Sequence, residues 1–183
     1  MAHGHGADHG GGNKGIALLI SLLALVLAFS ETLGKSAQTA ALGYNIEASN
    51  LWAFFQAKTI RQTTLRTAAE QLEASGAAGE AAKKQIQAWR DTAKRYQDEP
   101  DTGEGRKQLA ERAKAAEKKR DHSLAAYHHF ELSSAAVQIA IVLASASIIT
   151  AMAWLAWVAG GLGLVGIAFC VIGHYFPTTV HLF

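Results

Sequence analysis

Residues 132–183 read LSSAAVQIAIVLASASIITAMAWLAWVAGGLGLVGIAFCVIGHYFPTTVHLF and contain no Asp, Glu, Lys or Arg. One membrane-spanning helix needs about 20 apolar residues. A charge-free run of 52 residues is therefore long enough to cross a bilayer twice. We predict transmembrane helices at 133–150 and 154–175, with the turn between them near Thr150–Ala153. Gly160–Gly161 is the alternative position for the turn, but it would leave the last span short.

A third apolar segment lies near the N-terminus, at residues 15–33 (GIALLISLLALVLAFSETL). As an α-helix its 19 residues would be about 28 Å long, which is enough to cross the hydrocarbon core of a membrane. A cleaved signal peptide, with Ala28 and Ser30 as the small residues before the cut, is the alternative interpretation. We predict a transmembrane helix, because only Lys14 precedes the segment and apolar character resumes at Leu33.

The two ends of the chain are predicted to be tails. Residues 1–14 (MAHGHGADHGGGNK) are rich in Gly and His and have few apolar side chains. Such a segment cannot bury enough apolar surface to fold, so we predict that it is disordered. Residues 176–183, which follow the last span, form a second, short tail.

Small residues recur along the two C-terminal spans. They are Ala136, Ala140, Ala144, Gly160, Gly163, Gly166 and Gly173. Helices in lipid associate through such surfaces, because small side chains let two backbones approach closely. We interpret the pattern as packing between helices of the same chain, with a dimerisation face as the alternative.

Residues 34–132 carry nearly all of the charge. Sixteen of the 17 Lys and Arg residues lie between Lys35 and Arg120, and 14 of the 15 acidic residues lie between Glu31 and Glu131. This balance argues against a nucleic-acid-binding surface, which needs an excess of basic residues. We therefore expect no nucleic acid among the partners of this protein.

The charged segment is predicted to fold as an antiparallel helical hairpin. Its composition favours helix, and Ser75–Gly79 (SGAAG) and Asp98–Gly105 (DEPDTGEG) interrupt it. Residues 36–74 would form about 58 Å of helix, and the segments 80–97 and 106–133 together would form about 69 Å. These lengths match if the tip of the hairpin is near 75–79 and residues 98–105 are a kink in the returning arm.

Two sets of residues at three- and four-residue steps predict the faces along which the arms pack. On the first arm these residues are Leu42, Ile46, Ser49, Ala53, Ala57, Ile60, Thr64, Ala68 and Leu72. On the second arm they are Ala82, Ile86, Trp89, Ala93 and Tyr96. The spacing is typical of a coiled coil, and we predict that the hairpin is one.

The sequence contains no Gly-rich phosphate loop, metalloprotease motif or paired-cysteine site. We therefore expect a protein that is not an enzyme and needs no cofactor. Several histidines could nevertheless bind a divalent transition metal. The candidates are His3, His5 and His9 in the N-terminal tail, and His122 and His129 just before the second span. The alternative is that the tail is merely solvated and that the second group suits a membrane interface.

Residues 30–61 read SETLGKSAQTAALGYNIEASNLWAFFQAKTIR. This segment resembles a bacterial membrane-protein family catalogued as domain of unknown function 4337, whose members carry the signature (A)S-x-x-WA-[FY]-[FY]-QAK-x-I-[RK]. The matching residues are Ala48, Ser49, Trp52, Ala53, Phe54, Phe55, Gln56, Ala57, Lys58, Ile60 and Arg61. The resemblance covers nearly the whole chain. It implies an apolar helix, a charged coiled coil and a C-terminal apolar hairpin, and it implies no activity.

Together these patterns predict an all-α membrane protein with three transmembrane helices, one N-terminal and two in a C-terminal hairpin, and an extramembrane antiparallel coiled-coil hairpin. Basic residues near the membrane lie on the hairpin side, at Lys35, Lys114, Lys118, Lys119 and Arg120. By the positive-inside rule they favour a hairpin on the cytoplasmic side of the bacterial inner membrane. Relatives often carry Arg or Lys in the turn between the last two spans, which would favour a periplasmic hairpin. That turn (TAMA) is uncharged here.

We hypothesise that this protein is a scaffold in the lipid bilayer whose coiled-coil arm binds another protein or a second copy of itself. The residues expected to make the contact are Trp52, Phe54, Phe55, Gln56, Lys58 and Arg61. Alternatively, the aromatic residues pack onto the returning helix near Leu109–Tyr127. A small oligomeric channel or a metal-responsive membrane protein, using the His-rich tail and the cluster at 122–129, is the second functional hypothesis.

Overall fold

The computed structural model describes residues 10–77 and 79–179. In these residues it contains four α-helices and no β-strand, with α1 at Gly10–Ala74, α2 at Glu80–Gln97, α3 at Arg106–Thr150 and α4 at Ala153–Tyr175. The candidate metal ligands His3, His5 and His9 lie outside the described residues. α1 begins within the segment 1–14, for which the sequence predicts a disordered tail.

Among the described helices, α1, α3 and α4 are long and apolar enough to cross a membrane. Only Ala151 and Met152 separate α3 from α4. The chain reverses in this short space because Ala151 takes the left-handed conformation, with a φ of 57°. Ser147 Oγ donates a hydrogen bond of 3.1 Å to the Met152 carbonyl oxygen across the turn. Gly160–Gly161, the alternative position for the turn, lies inside α4.

The chain divides into two compact units. The apolar unit comprises the described residues of 1–41 and 121–183, and the charged unit comprises residues 42–120. The charged unit is therefore shorter at both ends than the charged segment 34–132. The residues just outside it pack within the apolar unit, where a Cβ atom on Gly34 of α1 would lie 3.3 Å from Phe130 Cβ of α3.

In the apolar unit, small residues bring α1, α3 and α4 close together. The buried core consists of Leu23, Val137, Ala140, Ala144 and Ala159. Gly163 and Gly166 of α4 are buried against Leu23 and Val137, and a Cβ atom at either glycine would lie 2.5 Å from the facing side chain. Five of the seven predicted small residues, Ala140, Ala144, Gly163, Gly166 and Gly173, are thus buried within the chain, as the interpretation of packing between its own helices requires. Ala136 and Gly160 are only half-buried.

Two buried serines connect the same three helices by hydrogen bonds. Ser133 Oγ donates a bond of 2.7 Å to the carbonyl oxygen of Gly166. Because its proton is used there, Ser133 accepts from Ser30, whose Oγ lies 2.8 Å away. Both hydroxyl groups are fully buried, and each is hydrogen-bonded, as buried polar groups in proteins generally are.

In the charged unit, contacts along α1 occur in the opposite order to contacts along the rest of the chain. Glu73, near the end of α1, forms an ion pair with Arg90 of α2. Trp52 lies 21 residues earlier in α1 and donates a hydrogen bond to Glu117 of α3, which comes later in the chain than Arg90. α1 is one unbroken helix through the unit, whereas the returning chain is interrupted between α2 and α3 by residues 98–105.

Candidate interaction site along helix α1

In the charged unit, α1 packs through a face other than the one predicted from its apolar spacing. Its buried residues are Ala48, Leu51, Lys58, Gln62 and Ala69. Seven of the nine predicted packing residues, from Leu42 to Thr64, are exposed instead, with Ile60 exposed at 67%. The predicted packing face of this arm is wrong.

The predicted face of α2 is the one that packs, since Ile86 and Ala93 are buried. The two predictions differ in outcome because the inward face of α1 includes the polar residues Lys58 and Gln62. A pattern of apolar spacing assigns such residues to solvent. Their burial depends on partners supplied by α2, by α3 and by the segment between them.

Trp52 and Phe55 form the apolar part of the inward face. They pack on a buried cluster that contains Leu109, Ala113 and Ala116 of α3. Their rings meet edge to face, with centroids 5.4 Å apart. The indole Nε1 of Trp52 donates a hydrogen bond of 2.8 Å to Glu117 Oε1. These two aromatic residues therefore pack onto the returning helix, which is the alternative use considered for them.

Residues 98–105, which we call the break loop, separate α2 from α3 opposite this part of α1. α2 ends before Pro100 because proline disfavours the helical conformation at the residue preceding it. Gly103 has a φ of 68°, in the left-handed region that glycine adopts without steric cost. Gly105 is buried, and a Cβ atom there would collide with the backbone nitrogen of Glu99.

Gly105→Ala is expected to destabilise the break loop by about 2 kcal/mol, because the added methyl group meets backbone atoms that cannot move aside cheaply. Gly79→Ala is the matched control: Gly79 also directly precedes a helix, and apart from its chain neighbours no described residue lies within 4 Å of its Cβ position. Amide hydrogen exchange of the purified protein in detergent should be roughly 30-fold faster in the break loop of the first variant only. Equal exchange in the two variants would contradict this account of the packing.

Lys58 lies beside the break loop, and acidic residues of the loop compensate its positive charge. Its side chain is only 7% exposed, and its Nζ lies 3.2 Å from Glu99 Oε2 and 3.8 Å from Glu104 Oε2. The ammonium group also lies 5.0 Å from the ring centroid of Tyr96 and 5.5 Å from that of Phe54. A buried cation needs such partners, since removing it from water is costly. Lys58 therefore ties the loop to α1.

One turn further along α1, Gln62 and Arg106 form hydrogen bonds that connect α1, α2 and α3. The Nε2 of Gln62 donates a hydrogen bond of 2.9 Å to the carbonyl oxygen of Ala93. Its Oε1 accepts a bond from Arg106, which also donates to Gln97 Oε1 over 2.8 Å. The guanidinium group of Arg106 lies 4.8 Å from the ring centroid of Phe55. Polar contacts thus close the unit where the returning helix is interrupted.

The six predicted contact residues divide into two groups. Trp52 and Phe55 are half-buried and Lys58 is buried, and all three make contacts inside the charged unit. The other three, Phe54, Gln56 and Arg61, are exposed, although Phe54, at 37%, also has its ring beside Lys58. Only this second group is available to a partner without rearrangement of the unit.

The exposed face of α1 forms a continuous uncharged surface. We call it the outward stripe, and it consists of Leu42, Ile46, Ser49, Ala53, Ala57, Ile60 and Thr64. At 1.5 Å per residue the stripe is about 33 Å long. Asn50 and Gln56 beside it are also uncharged. The returning helices differ, since their exposed residues include Lys84, Lys94 and Glu111.

The structure places the two described metal candidates in different surroundings. His122 is exposed. His129 is 1% exposed, its ring lies 6.2 Å from that of Phe169, and its Nδ1 has no hydrogen-bond partner among the described residues. Within residues 10–77 and 79–179, no three His, Cys, Asp or Glu side chains are grouped closely enough to hold a metal ion. The geometry of this segment therefore gives a metal site no support.

Comparison with known proteins yields one family match. The model of a family described as "Domain of unknown function (DUF4337)" matches residues 12–176. No curated protein matches the chain, and no solved structure does. The family match includes α2, α3 and α4 completely and all of α1 except its first two residues.

Proposed function

The chain belongs to the DUF4337 family, and we propose that it is a non-enzymatic membrane protein whose charged unit binds another protein through the outward stripe. The supporting observation is that this surface is exposed and uncharged along the whole of its length. Leu42, Ile46 and Ile60 are 60%, 53% and 67% exposed on it. Phe54, Gln56 and Arg61 border the stripe and complete the proposed contact surface.

An exposed helix face without charge is unusual for a surface that functions only in contact with water. The solvent face of a helix ordinarily carries charged or strongly polar residues, as α2 does with Lys83, Lys84 and Asp91. Contiguous apolar surface left exposed marks an interaction site in many proteins. The small residues Ser49, Ala53 and Ala57 would let a second helix approach closely, with isoleucines packing above and below them.

We further propose that the charged unit is an antiparallel coiled-coil hairpin outside the membrane and that α1, α3 and α4 span the bacterial inner membrane. Apolar length supports the three spans. Lys114, Lys118 and Lys119 favour the cytoplasmic side by the positive-inside rule. Protease protection in oriented membrane vesicles tests this arrangement. Cleavage in the charged unit only from the periplasmic face would overturn the assigned side.

A photoreactive amino acid at Gln56 tests the binding surface directly. Gln56 is exposed beside the outward stripe, and exposed Lys84 on α2 is the matched control position in the same unit. Illumination of native membranes is expected to cross-link the Gln56 variant, and not the Lys84 variant, to protein. Absence of any cross-linked protein from Gln56, or equal yields from both positions, would overturn the proposed function.

Ile60→Glu is expected to reduce that cross-link at least 10-fold, because binding would bury an unpaired carboxylate. The side chain of Ile60 is 67% exposed, so the charged unit itself should fold unchanged. Lys84→Glu introduces the same residue on α2 and is expected to leave the yield at Gln56 unaltered. Circular dichroism of both purified variants checks that the helices are retained.

A further inference from the structure

We propose that the partner bound by the outward stripe is a second copy of this chain, with the two α1 helices running in opposite directions. This inference rests on the proposed function, because it names the occupant of the same surface. Three properties of the stripe support it: the symmetry of its spacing, its lack of charge, and the placement of two charged residues along one edge.

The spacing of the stripe is the same in both directions along the chain. From Leu42 to Thr64 its residues follow steps of 4, 3, 4, 4, 3 and 4, with Ala53 at the centre. Steps of three and four are those by which two helices interlock their side chains. About a two-fold axis at Ala53, Ile46 of each copy faces Ile60 of the other, and Ser49 faces Ala57. The two isoleucines then meet each other, the small residues meet small ones, and Leu42 faces Thr64 at each end of the stripe.

The absence of charge favours a second copy over a charged partner helix. A partner that placed a charged side chain on the stripe would bury it without an opposite charge, at a large desolvation cost. In a two-fold interface the same surface is used twice, so any charge near the axis would meet its own copy. The stripe carries none, whereas the exposed faces of α2 and of α3 up to Arg120 carry charges on successive turns.

Charges along one edge of the stripe select the antiparallel direction. At about 100° per residue, Glu47 and Arg61 lie about 120° and 80° from Ala53 in the same sense around α1. Both are exposed, and neither forms an ion pair with any described residue. In an antiparallel pair this edge of one copy faces the same edge of the other copy. The two-fold axis at Ala53 places Glu47 of one copy opposite residue 59 of the other, which is two residues from Arg61. In a parallel pair the opposite edge would face this one, so that Arg61 would lie opposite uncharged Thr59 and Thr63, and Glu47 opposite uncharged Asn45.

Cysteine cross-linking in native membranes tests the arrangement, with Cys170 replaced by Ser in every variant. Copies carrying Ile46→Cys and copies carrying Ile60→Cys, each with its own tag, are co-expressed and oxidised. The expected product is a disulfide between the two tags, with little or none between copies that carry the same tag. Disulfides between identical copies would show a parallel pair and overturn the proposed direction. Lys84→Cys is the control, and no cross-linked pair is expected from it.

Charge exchange at the edge supplies a second readout. Glu47→Lys is expected to lower the mixed disulfide yield roughly threefold, and adding Arg61→Glu to the same chain should restore it. If the yield of the mixed disulfide were the same in Glu47→Lys and in the double variant as in the parent, the pairing of the edge charges would be contradicted. If Gln56 cross-links only to a different protein and the cysteines form no disulfide, the second copy is excluded while the proposed function stands. If neither experiment gives a product, both are overturned.

Discussion

Replacement of Lys58 by Met is expected to lower the free energy of opening of the break loop by about 3 kcal/mol. The variant keeps the aliphatic length of the side chain but removes the ammonium 3.2 Å from Glu99, a carboxylate that is only 18% exposed. Glu99 keeps Arg95, whose Nε lies 3.6 Å from Glu99 Oε1, but that side chain is 62% exposed and offsets little of the loss. Removal of one partner of a buried ion pair is far more damaging than loss of an exposed pair, because the remaining charge stays desolvated. Glu104 contributes less, since it is 51% exposed and can turn to water.

The measurement is amide hydrogen exchange of the full-length protein in detergent, followed on peptides that cover residues 98–105. A loss of about 3 kcal/mol corresponds to roughly 150-fold faster exchange. Lys83→Met is the matched control, since the ion pair of Lys83 with Glu80 is exposed at 65% and 92% and pairs of this kind contribute little. If the two variants exchange alike in the break loop, Lys58 does not hold the loop to α1.

Gly166→Leu is expected to destabilise the apolar unit by about 3 kcal/mol. Gly166 is buried against α3, where a Cβ atom would lie 2.5 Å from Val137 Cγ2 and 3.2 Å from the carbonyl oxygen of Ser133. Val137 is fully buried and has no room to move, so a larger side chain must separate the two helices. That separation would also break the hydrogen bond from Ser133 to the Gly166 carbonyl group.

The same substitution at Gly161 is the control for Gly166. Gly161 is exposed on α4, and among the described residues nothing outside its own stretch of helix lies within 4 Å of its Cβ position. We expect the apparent melting temperature of the purified protein in detergent to fall by roughly 6 °C or more for Gly166→Leu. Gly161→Leu should leave it within a degree or two of the parent, because the new side chain extends away from the other helices. A fall of the same size in both variants would mean that α3 and α4 are not packed through Gly166.

Local chemistry made much of the architecture predictable. The uncharged runs near both ends predict helices that could cross a membrane, because charged side chains are costly in hydrocarbon and a segment without them can be read directly from the sequence. The proline and glycines of Asp98–Gly105 predict an interruption, because they restrict or free the backbone wherever they occur. The packing face of α2 is also apparent, since its inward residues are apolar or aromatic. The family signature marks Trp52–Arg61 as distinctive without saying what each residue does.

Apart from the start of α1, which begins at Gly10 inside the predicted tail, the sequence by itself thus determined the helices, their apolar segments and the breaks between them. Only the tertiary structure decided which side of α1 faces inward. Buried Lys58 and Gln62 are stabilised by Glu99 and by the carbonyl group of Ala93, which lie 41 and 31 residues further along the chain. No local pattern records such pairing, so apolar spacing placed the packing face on the opposite side. The same long-range contacts divide the predicted contact residues, drawing Trp52, Phe55 and Lys58 inward because their partners lie on the returning helices. Gln56 and Arg61 remain at the surface, and Phe54 is 37% exposed with its ring beside Lys58.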